Sequence, residues 1–146
     1  MLPILSRWAH VLSFIILIGG TIFIRFVLMP TAKEILDDET HKKLREAIVK
    51  RWRKLVHACI GLLIISGIYN MTLTFPNHSG DSTYHMLFGI KFLLAFVAFF
   101  FAIKLTSSKE SGIKMRNNGK VWLLVLLSMT VGIVLISGVL KNLPLV

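Results

Sequence analysis

Five ionisable side chains lie within or next to long apolar stretches of this chain, and they are its best candidates for chemistry. They are His10, Arg25, His57, His85 and Lys91. In lipid, an ionisable group is costly unless it is paired, solvated or bound to a ligand, so such positions mark functional sites by default. Imidazole and neutral amine nitrogens can bind a metal, whereas a guanidinium pairs with carboxylate or phosphate.

A pair of histidines suggests haem chemistry. His10 and His85 each lie near the start of an apolar stretch, and two neutral imidazoles on opposing helices can bind the iron of haem b axially. No Cys-x-x-Cys-His motif is present, so the haem would be noncovalent. Arg7, near the same membrane surface as Trp8 and Tyr84, can pair with a propionate. Spacing alone favours a simpler alternative, in which both histidines are interfacial residues near helix ends.

The other three ionisable residues have different expected roles. At about 100° per helical residue, Lys91 points about 120° away from His85, so the two compete as inward-facing groups. Lys91 can bind iron only after losing its proton. We expect His57 to lie near the opposite membrane surface, where it is a poor partner for His10. Arg25 lies near that level too, and either snorkels to lipid phosphate or pairs with a propionate of a haem on that side.

The elements that must position these residues are four apolar blocks, each about long enough to cross a hydrocarbon core of about 30 Å as a helix. The blocks cover residues 4–29, 55–73, 84–103 and 121–140. With 55% apolar residues and a mean hydropathy of +0.74, the chain is expected to be an all-α, integral membrane four-helix bundle, with residues 1–146 forming one transmembrane domain. Pro30 is predicted to end the first helix.

Basic residues predict the orientation. The connector at residues 31–54 and the connector after the third block hold most of the Lys and Arg, the second set being Lys104, Lys109, Lys114, Arg116 and Lys120. The positive-inside rule places both connectors in the cytoplasm and both termini on the periplasmic side of a bacterial inner membrane. The net charge of +10 therefore faces lipid headgroups, and we do not expect nucleic acid as a partner. Residues 40–54 form an amphipathic helix on the membrane surface, an extension of the second helix, or a solvated basic face.

A short internal repeat links the second and fourth blocks. Residues 61–67 and 132–138 both read G-x-x-x-I-S-G. This pattern favours two repeated helical hairpins related by an axis along the membrane normal, although apolar helices also resemble each other by chance. Glycines in the helices permit close backbone packing and are compatible with a homodimer.

Several segments carry a family resemblance. Residues 10–30, 63–70 and 89–94, with His10, the Ser66-Gly67 pair and Lys91 among them, resemble the superfamily that joins copper-resistance protein D (CopD) domains and HemJ-type protoporphyrinogen oxidases. The resemblance covers nearly the whole chain and implies a four-helix membrane domain with haem b as its ligand. In the HemJ-type pattern, the histidine early in helix 1 and the lysine in helix 3 correspond to His10 and Lys91. The chain departs from that pattern after helix 1, where Pro30 replaces a nearby histidine.

The leading prediction is therefore a redox-active, haem b-binding membrane protein that transfers electrons with a membrane or periplasmic partner. His10 is the expected axial ligand and His85 its partner, with Lys91 as the alternative ligand or a charge near the propionates. A second prediction is HemJ-like oxidation of protoporphyrinogen IX to protoporphyrin IX. A third is copper binding or transport, because thioether and imidazole ligands suit Cu(I). Its candidate ligands are Met71, His78, His85 and Met86.

Overall fold

The chain is built from α-helices. The computed structural model describes residues 1–78, 80–107, 112, 115 and 119–142, except for the side chains of residues 77, 78 and 120. No β-strand occurs in this part of the chain. The helices are α1 (Leu2–Ile22), α2 (Met29–Ile35), α3 (Asp38–Thr74), α4 (Ser82–Thr106) and α5 (Gly119–Asn142).

Four helical segments are long and apolar enough to cross a membrane, as the sequence predicts. They are Leu2–Ile35, Asp38–Thr74, Ser82–Thr106 and Val121–Asn142. Large apolar side chains cover much of their outer surface; Ile65, for example, is 69% exposed and Leu93 is 66% exposed. Such exposure over four long helices is typical of helices surrounded by lipid, because exposing so much apolar surface to water would cost free energy.

The prediction that Pro30 ends the first helix is wrong. A π-helical segment, Phe23–Leu28, joins α1 to α2, and helical structure continues through Pro30 to Ile35. Proline has no backbone N–H, and its ring clashes with the carbonyl group four residues earlier, which here belongs to Phe26. A wider turn upstream relieves this crowding, and the Met29 N–H accordingly donates to the carbonyl oxygen of Ile24, five residues back.

Helix α3 is one continuous helix of 37 residues. Residues 40–54 therefore extend the second membrane helix, which was one of the three alternatives open from the sequence. At 1.5 Å per residue, α3 is about 55 Å long, well beyond the thickness of a hydrocarbon core. Its apolar part, residues 55–74, has the length that such a core requires, so the basic first half continues beyond one membrane surface.

Asp37 caps the start of α3. The backbone N–H of Thr40 donates to Asp37 Oδ1 over 2.9 Å, satisfying one of the amides that a helix start leaves without a partner. This hydrogen bond, together with a second one from the Thr40 side chain, lowers the pKa of the Asp37 carboxyl below its usual 3.8. The cap therefore stabilises the helix above the usual carboxyl pKa, and this contribution is lost as the pH falls through the lowered value.

Residues Met1–Gly67 form one compact unit. Within it, α1 and α3 run antiparallel, because Ser6 and His10 contact Ser66, whereas Gly20, later in α1, contacts Trp52, which comes earlier in α3. The same register places Arg25 beside the turn of α3 that contains Lys50. This unit holds His10, Arg25 and His57 among the residues that the sequence singles out.

Residues Ile68–Val146 form the second unit. Here α4 packs along α5 through the buried side chains of Ala98, Leu126 and Ile133, and the Phe101 and Trp122 rings lie 5.1 Å apart. The boundary between the units falls inside α3, so one helix belongs to both. The prediction of a single domain stays a prediction.

The Gly20 contact provides a test of the α1–α3 packing. A Cβ atom at Gly20 would overlap the ring of Trp52, whereas a Cβ atom at Gly19 would meet no atom within 4 Å. We expect Gly20→Ala to lower the free energy of unfolding by about 1–3 kcal/mol relative to the matched control Gly19→Ala. Thermal unfolding in detergent measures this difference, and equal stability of the two variants would contradict the antiparallel packing described here.

Candidate functional site

His10 makes the most specific polar contact found in a membrane-spanning segment of the first unit. Its half-buried imidazole extends from α1, and its Nδ1 atom lies 2.9 Å from the hydroxyl oxygen of Ser66 on α3. Ser66 itself is buried, with 5% of its surface exposed. The two helices that form the hairpin of this unit are thus linked by a side-chain hydrogen bond in an apolar setting.

The proton in this bond can be assigned from the other contact of Ser66. Its hydroxyl group donates to the carbonyl oxygen of Leu62, one helical turn earlier, over 2.5 Å. A hydroxyl group has only one proton to donate. With that proton on the Leu62 carbonyl oxygen, Ser66 Oγ accepts from His10, and a neutral imidazole then carries its proton on Nδ1. This is the tautomer in which a histidine binds a metal through Nε2.

Gly67 gives the imidazole room to lie against α3. A Cβ atom at this position would lie 3.4 Å from Cε1 and 3.8 Å from Nδ1 of His10, which is ordinary van der Waals contact, so a larger side chain would push the ring away. Ser6, one turn before His10 on α1, donates a long hydrogen bond of 3.4 Å to the Ser66 carbonyl oxygen. The imidazole thus rests on the Ser66-Gly67 pair.

The contact also places His10 deeper than expected for an interfacial residue. Ser66 lies eleven residues after Leu55, where the apolar part of α3 begins, and this corresponds to about 16 Å of helix. In a hydrocarbon core of about 30 Å, that position is close to the midplane. A membrane that covered the apolar part of α3 would therefore hold His10 inside its core, where a histidine needs a stabilising partner.

Sequence analysis identified His10 and the Ser66-Gly67 pair but did not connect them. The signal was the G-x-x-x-I-S-G repeat, whose serine and glycine together form the surface on which His10 rests. In the second copy, Ser137 donates to the Ile133 carbonyl over 2.6 Å in the same way, and Gly138 has no atom within 4 Å of its Cβ position. Ser137 therefore offers a matched control for Ser66.

His85 lies in an aromatic cluster at the start of α4. Its ring centroid is 4.8 Å from that of Phe75 and 5.9 Å from that of Tyr84, and Tyr84 is buried. Asp81 caps this helix by accepting a hydrogen bond from the Tyr84 backbone N–H. His85 belongs to the second unit, whereas His10 belongs to the first. The expected role of His85 as the second axial ligand therefore stays a prediction.

Lys91 is half-buried on α4, ten residues into a helix of 25. A lysine so far from both helix ends is expensive in lipid and remains a functional candidate. Arg7, by contrast, is exposed on α1 one turn before His10. Its expected pairing with a haem propionate also stays a prediction.

His57 and Arg25 lie away from the His10 contact. His57 Nδ1 donates to the Arg53 carbonyl oxygen over 2.7 Å, and His57 precedes Ser66 by nine residues, about 14 Å along the helix. This separation is the reason to expect that His57 is a poor partner for His10, and its place among the cofactor-binding residues stays a prediction. Arg25 lies in the π-helical segment Phe23–Leu28 and is half-buried, and its expected level near the membrane surface stays a prediction.

Among the described residues, no group of three or more His, Cys, Asp or Glu side chains is arranged to hold a metal ion. This observation does not test the predicted copper site, which depends partly on methionine. Met86 is 59% exposed, and the side chain of His78 lies outside the described residues. Of the basic residues that predict the orientation, Lys109, Lys114 and Arg116 also lie outside them.

Comparisons with protein-family models, with curated proteins and with solved structures found no match. The resemblance to the CopD and HemJ-type superfamily therefore stays a prediction. The functional argument depends on the site itself, and above all on the contact between His10 and Ser66.

Removing the Ser66 hydroxyl group tests that contact. In Ser66→Ala, the His10 Nδ1–H loses its acceptor, and we expect the free energy of unfolding to fall by about 1 kcal/mol, as for other side-chain hydrogen bonds between membrane helices. Ser137→Ala removes only a bond to the preceding turn of its own helix and should cost less. Thermal unfolding in detergent measures both, and a Ser66→Ala protein as stable as Ser137→Ala would show that the contact contributes nothing.

Proposed function

We propose that this chain is a haem b-binding integral membrane protein in which His10 is an axial ligand through Nε2. The supporting observation is the chain of two hydrogen bonds from His10 Nδ1 to Ser66 and from Ser66 to the Leu62 carbonyl oxygen. Together these bonds favour the tautomer that an iron ligand requires. The departure from the HemJ-type pattern near Pro30 leads us to propose electron transfer, with porphyrinogen oxidation as the alternative.

The residues around His10 fit this role. Histidines that bind metals commonly donate their other ring N–H to a neighbouring acceptor, which fixes the ring orientation and increases the basicity of the ligand. Ser66 is such an acceptor, and Gly67 leaves space for the ring beside α3. A haem bound here would supply one-electron redox chemistry, while the protein would orient the imidazole and exclude water from it.

The location near the membrane midplane also supports a bound ligand. A histidine inside a hydrocarbon core is costly unless its ring is paired, solvated or bound to a ligand, and Ser66 pairs with the Nδ1 atom of His10. We place the second axial ligand at His85, with Lys91 as the alternative, and we place both termini on the periplasmic side of a bacterial inner membrane because the basic half of α3 belongs in the cytoplasm.

A haemin titration of purified protein in detergent tests the proposal. We expect the wild type to give a Soret band that shifts on reduction with dithionite, and His10→Ala to lose this band or to require far more haemin. Ser66→Ala should weaken haem binding by about 10- to 100-fold, as loss of a hydrogen bond to a metal-bound histidine does elsewhere.

His57→Ala is the matched control. This histidine has the same Nδ1 hydrogen-bond arrangement but lies on the exposed side of α3, so its loss should leave haem binding unchanged. A His10→Ala protein that binds haemin with the affinity and spectrum of the wild type would refute the ligand assignment. Spectra of His85→Ala and Lys91→Ala would identify the second ligand, because its loss converts low-spin iron to high-spin iron.

A further inference from the structure

One face of α3 carries exposed positive charge at the point where its apolar part begins. Lys50, Lys54 and His57 recur at intervals of four and three residues, so they lie on one stripe of the helix, and all three are exposed. Arg51, beside this stripe, is also exposed. Trp52 lies on the opposite side and contacts α1 at Gly20. The basic stripe therefore faces away from the hairpin partner.

The acidic residues of this helix all precede the stripe. Asp and Glu are absent between residues 47 and 80, whereas the earlier part of the same helix contains Asp38, Glu39 and Glu46, the last of these one turn before Lys50. At the start of the helix, Lys43 forms an ion pair with Glu39 over 2.7 Å. Within the described residues, no carboxylate lies at ion-pair distance from Lys50, Arg51 or Lys54. The two ends of this basic segment thus differ in charge balance.

The helix surface next to the stripe is apolar and has open space at a glycine. On the same face, toward the membrane interior, Gly61 has no atom within 4 Å of its Cβ position. Ala58 is exposed, and Ile65 further along is 69% exposed. A shallow apolar depression therefore follows directly after the exposed cations. Along this face of α3, the two lysines come first, the small residues Ala58 and Gly61 follow, and the branched apolar residue Ile65 comes last.

We propose that this face of α3 binds an anionic phospholipid of the leaflet that the basic end of the helix enters. Its phosphate is bound by Lys50 and Lys54, and one of its acyl chains lies over Ala58, Gly61 and Ile65. The two lysines would lie at the level of the lipid headgroups, because they directly precede the 20 apolar residues 55–74, whose length matches a hydrocarbon core. Each basic residue near an anionic leaflet adds about a fivefold gain in affinity.

Binding of a short-chain phosphatidylglycerol to the full-length protein in nonionic detergent, followed by native mass spectrometry, tests the site. We expect phosphatidylglycerol to bind at least about tenfold more tightly than phosphatidylcholine, and Lys50→Gln/Lys54→Gln to weaken it by about 10- to 30-fold. The double variant Lys42→Gln/Lys43→Gln removes the same charge from the same helix further from the apolar part. It should change the affinity by less than about threefold.

Two further experiments distinguish the contribution of the phosphate contact from that of the acyl-chain contact. Soluble glycerol 3-phosphate should bind at least about tenfold more weakly than the lipid, because it lacks the apolar contact. Gly61→Leu should weaken lipid binding by filling the depression, without any loss of thermal stability. The proposal is overturned if the Lys50/Lys54 variant behaves like the Lys42/Lys43 control, if glycerol 3-phosphate binds as tightly as the lipid, or if Gly61→Leu leaves lipid affinity unchanged.

Discussion

The single proton of the Ser66 hydroxyl group determines the chemistry available at His10. That proton is donated to the carbonyl oxygen of Leu62, so Ser66 accepts from His10 Nδ1 and the imidazole lone pair is left on Nε2. Because the contact joins α1 to α3, the same bond connects the two helices and fixes the orientation of the ring. The proposed haem-binding role depends on this arrangement more than on the presence of a histidine.

The length of the helices relative to the membrane controls where the other charged residues lie. Helix α3 exceeds the thickness of a hydrocarbon core by about 25 Å, and its apolar part begins only at Leu55. The antiparallel register with α1 then brings Arg25 to about the level of Lys50 along α3, before that apolar part begins.

Much of the architecture could be predicted from the sequence, because apolar length alone identifies a membrane-spanning helix. Four helices long and apolar enough to span a membrane are confirmed in this way, and α3 matches one of the alternatives left open for residues 40–54. The helix past Pro30 was not predicted, because a π-helical turn upstream depends on backbone adjustments that residue types do not specify. For the site, helical periodicity placed His10 on α1, but it carries no information about which turn of α3 lies opposite. Neither the contact with Ser66 nor the depth of His10 could therefore be derived before the register between α1 and α3 was known.

The tautomer of His10 in protein free of haem is the most direct test of this account. Nitrogen-15 NMR of histidine-labelled protein at neutral pH, with the His10 signals assigned by their absence in a His10→Gln variant, reports which ring nitrogen carries the proton. We predict a proton on Nδ1 and none on Nε2, with this preference lost in protein that lacks the Ser66 hydroxyl group. A proton on Nε2 in the wild type, or a doubly protonated ring, would contradict the account.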